Sequence, residues 1–369
     1  MNELAEQLRR EIAAGGPLPF AEFMTRALYD SAHGYYRRIA RQTGRAGNFY
    51  TSVSVGSFFG ELLAYQFARW FETLKTTGAK FQIVEAGAHD GQLGHDILSA
   101  LRATEPELFS SLEYWIIDAS SPRRESQQRT LTAFTNVRWF DDFEALPNRV
   151  HGVIFSNELL DALPVHPFIW NAPLRRWDER GVTCASTSTG ESFTWTPLPH
   201  PTVAPPALPE ALLEVLPDGY LVELSPAATQ WWRDSATALT HGKLMTIDYG
   251  GAWEELLSPA RTSGTLRAYS RHRVSADVLS DPGGQDITAH VNFTALREAG
   301  EEAGLITETF ATQGQFLTGI ACELWTRRGA GSQNQTRQFQ TLTHPEHLGR
   351  PFRVLVQSSG MAGRTPYRP

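Results

Sequence analysis

The segment SNELLDALPVH places Asn157, Glu158 and Asp161 close together behind an apolar run. An amide and two carboxylates suit a cationic nitrogen substrate. Carboxylates hold a guanidinium in a bidentate fork and orient it toward an electrophile. Such chemistry works by positioning and charge stabilisation and needs no metal. The same string also fits a helix start, with Asn157 as cap and Glu158 favouring the helix dipole, and composition alone leaves both readings open.

A second stretch, FQIVEAGAHDGQLGHDI, runs from a buried strand through Glu85 into a glycine-bearing turn and a helix. That order builds a nucleotide-sized site at the carboxyl end of the first strand of an open α/β sheet. Gly87 and Gly91 let backbone approach a ligand closely. A dinucleotide fingerprint read from Gly87 places His89 and Gln92 where its second and third glycines belong, so that pattern is broken. What remains, acid-x-Gly-x-x-x-Gly, looks like a loop for S-adenosylmethionine (SAM), which has no pyrophosphate and needs carboxylates for its ribose and cationic parts. Asp118 ends the next strand, where an acid commonly accepts both ribose hydroxyls. Asp141 and Asp142 follow the third strand and could meet an adenine amino group; two adjacent acids there also fit a solvated loop. His89 and His166 are candidate bases, although a lone histidine is more often structural. Asp248-Tyr249-Gly250 either floors the site or simply ends a strand.

The elements that must hold these residues alternate as in a parallel sheet. After the glycine loop come a helix from Gln92 to about Ala103, strand LEYWIIDAS, helix PRRESQQRTLTAF, strand NVRWF, strand HGVIFSNELL and, far downstream, strand GKLMTIDYGG. Helical periodicity in residues 2–14, PFAEFMTRALYDSAHGYY and VGSFFGELLAYQFARWFETL precedes the first strand. Pieces FIW, RRW and SFTW in the insertion suggest short strands, and PLPHPTVAPPALPE reads as an ordered surface connector. GAGSQNQTRQFQ reads as a mobile loop, and FRVLVQSSG as a closing strand. The expected organisation is a helical cap over 1–78, a core over 79–166 and 241–328, an insertion or substrate subdomain over 167–240, and a mobile loop with closing strand over 329–369.

The 369 residues, 41% hydrophobic and 20% charged, are those of a globular protein able to bury a core. A net charge of −7 argues against non-specific nucleic-acid binding but leaves room for a basic partner. Cys184 and Cys322 offer neither metal spacing nor a disulfide framework. The amino terminus is acidic and lacks an apolar targeting core, and no run approaches membrane-spanning length. A cytoplasmic location is the default expectation.

Several ordered blocks resemble the MidA-type SAM-dependent methyltransferases, the family of a mitochondrial complex I assembly-factor arginine methyltransferase and its bacterial relatives. PFAEFMTRALYDSAHGYY, GNFYTSVSVGSFFGELLA, NELLDALPVHPF, IDYG, GTLRAYSRHRV, DITAHVNF, QGQFL and FRVLVQSSG follow the family in order, nearly end to end. The resemblance implies an α/β fold: a Rossmann-like class I methyltransferase core with helical N-terminal cap and a large insertion. It implies SAM as cofactor and a protein substrate with an exposed arginine, with no nucleic acid, no membrane span, and a homodimer as an open expectation. Carried over, the cofactor loop is Glu85, Gly87 and Gly91, the ribose acid is Asp118, and Gly47, Thr51 and Ser52 come from the cap; Asn157, Glu158 and Asp161 form the reaction centre. His89 within the loop and Asp141 after the third strand join the cofactor-binding candidates by their places along the chain. Ala88 and His89 replace a Pro and a Gly of the family loop, Asn48 replaces an Asp, and Val53-Ser54 replaces Pro-Glu. A histidine is costly at His89 if that position needs positive φ. The alternative to an active enzyme is a catalytically weakened or inactive binding or assembly factor that keeps the SAM fold. A dehydrogenase is disfavoured by the broken fingerprint.

Overall fold

The computed structural model describes residues 2–39, 51–74, 80–187, 190–270 and 273–359. The chain falls into two compact units, each assembled from separate stretches. One comprises Met1–Phe49, Asp161–Ala228 and Gly251–Asn292; the other comprises Tyr50–Leu160, Thr229–Gly250 and Phe293–Pro369.

The second unit is a mixed sheet with helices. Its strands are β1 (Phe81–Ala86), β2 (Leu112–Ile117), β3 (Val137–Phe140), β4 (Val150–Asn157), β5 (Leu239–Gly251), β6 (Leu305–Thr312) and β7 (Phe352–Ser359). They lie in the order β6-β7-β5-β4-β1-β2-β3. The pairings β5-β4-β1-β2-β3 are parallel, whereas β7 runs antiparallel to both β5 and β6. The near-continuous burial of β1 and of the middle of β5 fits strands covered on both faces.

The helices of this unit are α1 (Ser52–Val55), α2 (Phe58–Leu74), α3 (Gln92–Thr104), α4 (Ser121–Thr130), α5 (Phe293–Glu302), α6 (Gln313–Arg328) and α7 (Gln333–Thr343). Phe59, Leu62, Leu63 and Phe67 recur at helical spacing along α2 and are fully buried in one cluster with Ile83, Phe155, Ile247 and Val354. Fully burying a side chain of that size is worth about 1.5–3 kcal/mol, so this cluster dominates the unit's stability.

At the opposite end of the strands from the glycine loop, backbones approach so closely that side chains are excluded. Gly152 and Gly242 are register partners on β4 and β5. A Cβ on Gly152 would lie 2.0 Å from the Gln82 carbonyl oxygen, and one on Gly242 would lie 1.9 Å from that of Gly152.

In the other unit, strand Arg176–Thr187 pairs with His166–Asn171, Gly190–Pro197 and the short Leu18–Pro19 segment; His166–Asn171 also pairs with Leu221–Leu224. Arg267–Ser270 is the centre of a three-stranded sheet flanked by Arg273–Ser275 and Asp286–Thr288. Helices Glu3–Gly15 and Phe20–Tyr29 bury Leu4, Leu8, Ile12, Phe20, Phe23 and Leu28 in a cluster with Val182 and Ile287.

Two expectations are corrected. The single cap over 1–78 is divided: the first two helices belong to one unit, and α1 and α2 to the sheet unit. Gly329–Gln340 is not a mobile loop, because Ser332 caps α7 by accepting the Gln335 amide. The helix is docked by Gln338 accepting the Phe58 amide at 2.9 Å and by Phe339 packing edge-on against Trp325 at 5.0 Å.

Candidate active site

The carboxyl ends of β1, β2 and β4 bring Glu85, the glycine loop, Asp118, Asn157 and Glu158 to one edge of the sheet. Glu85 is buried within β1. It accepts a hydrogen bond from the Tyr114 hydroxyl of β2 at 2.7 Å. Burial raises its pKa to about 7 against the opposing effect of that bond, and Asp90 and Asp118 push it further in the same direction.

The loop after β1 bends through three left-handed positions, Gly87 at φ 72°, His89 at φ 46° and Gly91 at φ 84°. The histidine therefore adopts the backbone conformation of the glycine it stands for, at a position tolerant of histidine. Its ring is largely exposed, 3.6 Å from Asp90. Gln127 of α4 braces the loop. Its amide donates to the His89 carbonyl at 3.1 Å and to Asp118 at 2.9 Å, while its oxygen accepts the Trp139 indole at 3.1 Å. Asp118 also accepts the Ser120 amide at 2.9 Å, which fixes its carboxylate just beyond β2. Asp141 is exposed and pairs with Arg124, which also reaches the Asp118 carbonyl. Asp142 accepts the Ala145 amide in its own turn at 2.8 Å.

At the end of β4 the chain makes a left-handed turn at Glu158, φ 52°. The Glu158 amide continues the ladder to the Ile247 carbonyl at 3.0 Å. Its carboxyl accepts the Asn157 side-chain amide at 3.1 Å and the Ser52 backbone amide. Burial, followed by the nearby Asp248, raises its pKa to about 8, against those two hydrogen bonds. Asn157 Oδ1 is buried and without a hydrogen-bond partner among the described residues, an orphan of the kind that a site leaves for a ligand donor.

Thr51 and Ser52 divide in role. Thr51 caps α1 by accepting the Ser54 amide. Ser52, expected at the cofactor, is fully buried beside Glu158, and its hydroxyl donates to Gln313 at 3.1 Å. Gly47 and Asn48 lie outside the described residues. Asp161 belongs to the other unit, where its carbonyl accepts the Ala289 amide at 2.9 Å and its carboxylate adds to the upward push on Tyr269. His166, in the same unit, bonds to the buried Glu179 at 2.7 Å, which accounts for it structurally. Sequence reasoning missed Tyr114, Gln127 and Gln313. Each is a polar residue whose partner lies on another element, and nothing local distinguishes it.

The chain matches over residues 62–311 the family model described as "Putative S-adenosyl-L-methionine-dependent methyltransferase". The chain belongs to this methyltransferase family. It is 26% identical to the Drosophila melanogaster protein named "Protein arginine methyltransferase NDUFAF7 homolog, mitochondrial", over 97% of this chain and 85% of that protein. It is 29% identical to the human protein arginine methyltransferase NDUFAF7, mitochondrial, over 80% of this chain and 68% of the relative. A Burkholderia thailandensis protein crystallised with S-adenosyl-homocysteine is 33% identical with a TM-score of 0.80, covering 98% of this chain and 92% of that one. The cofactor of this methyltransferase is therefore S-adenosyl-L-methionine. The cytoplasmic expectation is overturned by the relatives, which are named as mitochondrial proteins. Among the described residues no helix is long and apolar enough to cross a membrane.

The residues present fit that cofactor. Two carboxyl groups at adjacent strand ends, Glu85 and Asp118, match hydroxyl and ammonium donors; the loop turns through glycines at positive φ; and the orphaned Asn157 oxygen offers a buried acceptor.

Proposed function

We propose that this methyltransferase modifies the guanidinium of arginine in a protein substrate, with Glu158 as the carboxyl that receives it. The observation carrying this reading is the turn at Glu158, which sets its carboxyl between Asn157 and the Ser52 amide at the end of β4. Two of the curated relatives reported above are named protein arginine methyltransferases, which supports the same substrate class.

On this reading Asp118 holds the cofactor's ribose, Glu85 with Gly87, His89 and Gly91 lines its loop, and Asn157 offers its buried oxygen beside the reacting end. Asp141, tied to Arg124, serves the rim. S-adenosyl-L-methionine, when bound, supplies an electrophilic methyl on a sulfonium centre. The chain's part is to hold a guanidinium nitrogen in line and to stabilise the charge it carries. The Glu158 carboxyl, with its pKa raised to about 8, favours the protonated form in the ligand-free site at neutral pH. An arriving guanidinium favours the carboxylate, so substrate binding releases a proton.

Glu158→Gln tests the assignment. With arginine-containing peptides and isotope-labelled SAM, the variant is expected to lose methylarginine formation by at least about 100-fold while keeping SAM affinity within about threefold, as loss of a residue acting only on the acceptor predicts. Equal loss of both would place Glu158 in the cofactor site instead. The alternative of a SAM-fold binding factor without turnover draws on His89. The loop nonetheless accommodates this residue at positive φ with its ring directed largely into solvent, which favours the enzyme.

A further inference from the structure

We propose that Asp248, at the end of β5, is the positioning residue that holds Glu158 in its left-handed turn. The proposal rests on the reading of Glu158 given above. Asp248 is fully buried, yet its carboxylate is surrounded by donors. Oδ2 accepts the amides of Leu159 at 3.1 Å and Leu160 at 2.8 Å, and Oδ1 accepts the amide of Tyr249 at 2.8 Å. The two residues that follow Glu158 are thereby tied to β5, while the Glu158 amide itself is tied to Ile247 on the same strand.

Backbone at positive φ in a residue with a long side chain persists only where its surroundings over-determine it. Here three successive amides, from Glu158 to Leu160, all terminate on β5. Hydrogen bonds to an ionised acceptor are about twice as strong as neutral ones, which suits a carboxylate to this task. An asparagine would offer one accepting oxygen and turn its NH2 toward an amide that is itself a donor. Both oxygens of Asp248 are engaged by backbone donors, an environment that favours the ionised form.

The placement has an electrostatic consequence for Glu158. The groups facing it are the Ser52 amide from α1, the Asn157 side chain from β4 and Asp248 from β5, with Arg353 of β7 opposite Asp248 in the ladder. Burial first, and then Asp248, push the Glu158 carboxyl toward its protonated form.

The test uses full-length protein carrying Asp248→Asn or Asp248→Ala, with Glu158→Gln as reference. Carbon-13 NMR of protein labelled at the glutamate carboxyl follows Glu158 in the absence of any acceptor, its signal identified by its loss in Glu158→Gln. SAM affinity is measured by calorimetry, and methyl transfer with an arginine-containing peptide. In Asp248→Asn the Glu158 titration is expected to move to lower pH by about a unit, kcat/KM to fall at least 10-fold, and SAM affinity to stay within about threefold, as removal of a like charge and of one acceptor predicts. An unchanged Glu158 titration with unchanged kcat/KM overturns the proposal. So does a parallel loss of SAM binding and activity with the titration unmoved. Should Asp248→Ala fail to fold, the asparagine variant decides alone. If Glu158→Gln keeps full transfer, the functional reading fails, while the NMR titration still reports on what Asp248 does to Glu158.

Discussion

His89 sits at φ 46° in a turn whose neighbouring left-handed positions are glycines. A left-handed L-residue costs about 1–2 kcal/mol, and histidine lies at the tolerant end of that range. Replacing it by glycine relieves that strain but returns about 0.5–1 kcal/mol through the freedom of the unfolded chain. The expected outcome for His89→Gly is a stability within about 0.5 kcal/mol of the parent in urea denaturation, with SAM affinity little changed. His89→Val should destabilise by roughly 1–2 kcal/mol, because a branched side chain resists this conformation. Glu85 supplies a pH signature. Its pKa rises from 4.5 unfolded to about 7 folded, so the folded state binds more protons between those values. Stability contributed by Glu85 is full below about pH 4.5 and falls as pH rises toward 7, by on the order of 3 kcal/mol at most. Glu85→Gln should flatten that slope in the ligand-free protein, as read from denaturation midpoints across the range.

At the level of elements, the sheet depends on positions where backbones touch. Gly152→Ala places a Cβ 2.0 Å from the Gln82 carbonyl and also meets an unfavourable φ of 149°. It is expected to destabilise by about 3 kcal/mol or more, measured as a lowered urea midpoint, because neighbouring strands cannot yield as a flexible side chain would. Gln127→Ala should loosen the loop from α4 and weaken SAM binding by about 10-fold, while costing roughly 1–2 kcal/mol of stability, since it leaves the Trp139 indole and Asp118 each short of a partner. The strands themselves were legible: Phe81–Ala86, Val150–Asn157 and Phe352–Ser359 announce themselves as apolar runs that end in polar or small residues. Helix α7 was not, because GAGSQNQTRQFQ is polar throughout. Its signal was the capping pair Ser332 and Gln335, followed by Phe339 and Leu342 one turn apart. The site was half legible. Acids at strand ends can be read from order along the chain, whereas the Tyr114–Glu85 and Ser52–Glu158 pairs depend on strand register and on how α1 docks. Nor does any local pattern announce a left-handed Glu158, since only the amides bound at β5 demand it.

For the whole molecule, the division of the chain has consequences that neither unit shows alone. Neither unit is continuous in sequence: the sheet unit is finished only by residues beyond Asn292. A chain ended there would lack β6, β7 and helices α5 to α7, and with them the fully buried Phe352, Val354 and Leu355. Such a truncation is expected to lose the sheet unit's cooperative urea transition and part of the near-ultraviolet circular dichroism, because β5 would be stripped of β7.

Strand β7 lies between β5 and β6 in the sheet, although it is the last of the strands to be made. During synthesis β5 emerges with its antiparallel neighbour roughly a hundred residues away, a delay of about 5–20 s at ordinary elongation rates. Throughout that interval Leu244, Met245 and Ile247 sit on a strand whose outer ladder has no partner. Completion of the sheet is then a late event in folding, and the turn that carries Glu158 rests on a strand still waiting for its neighbour. A chaperone that shields strand edges is expected to raise the yield of folded protein, measured as the soluble fraction with and without it.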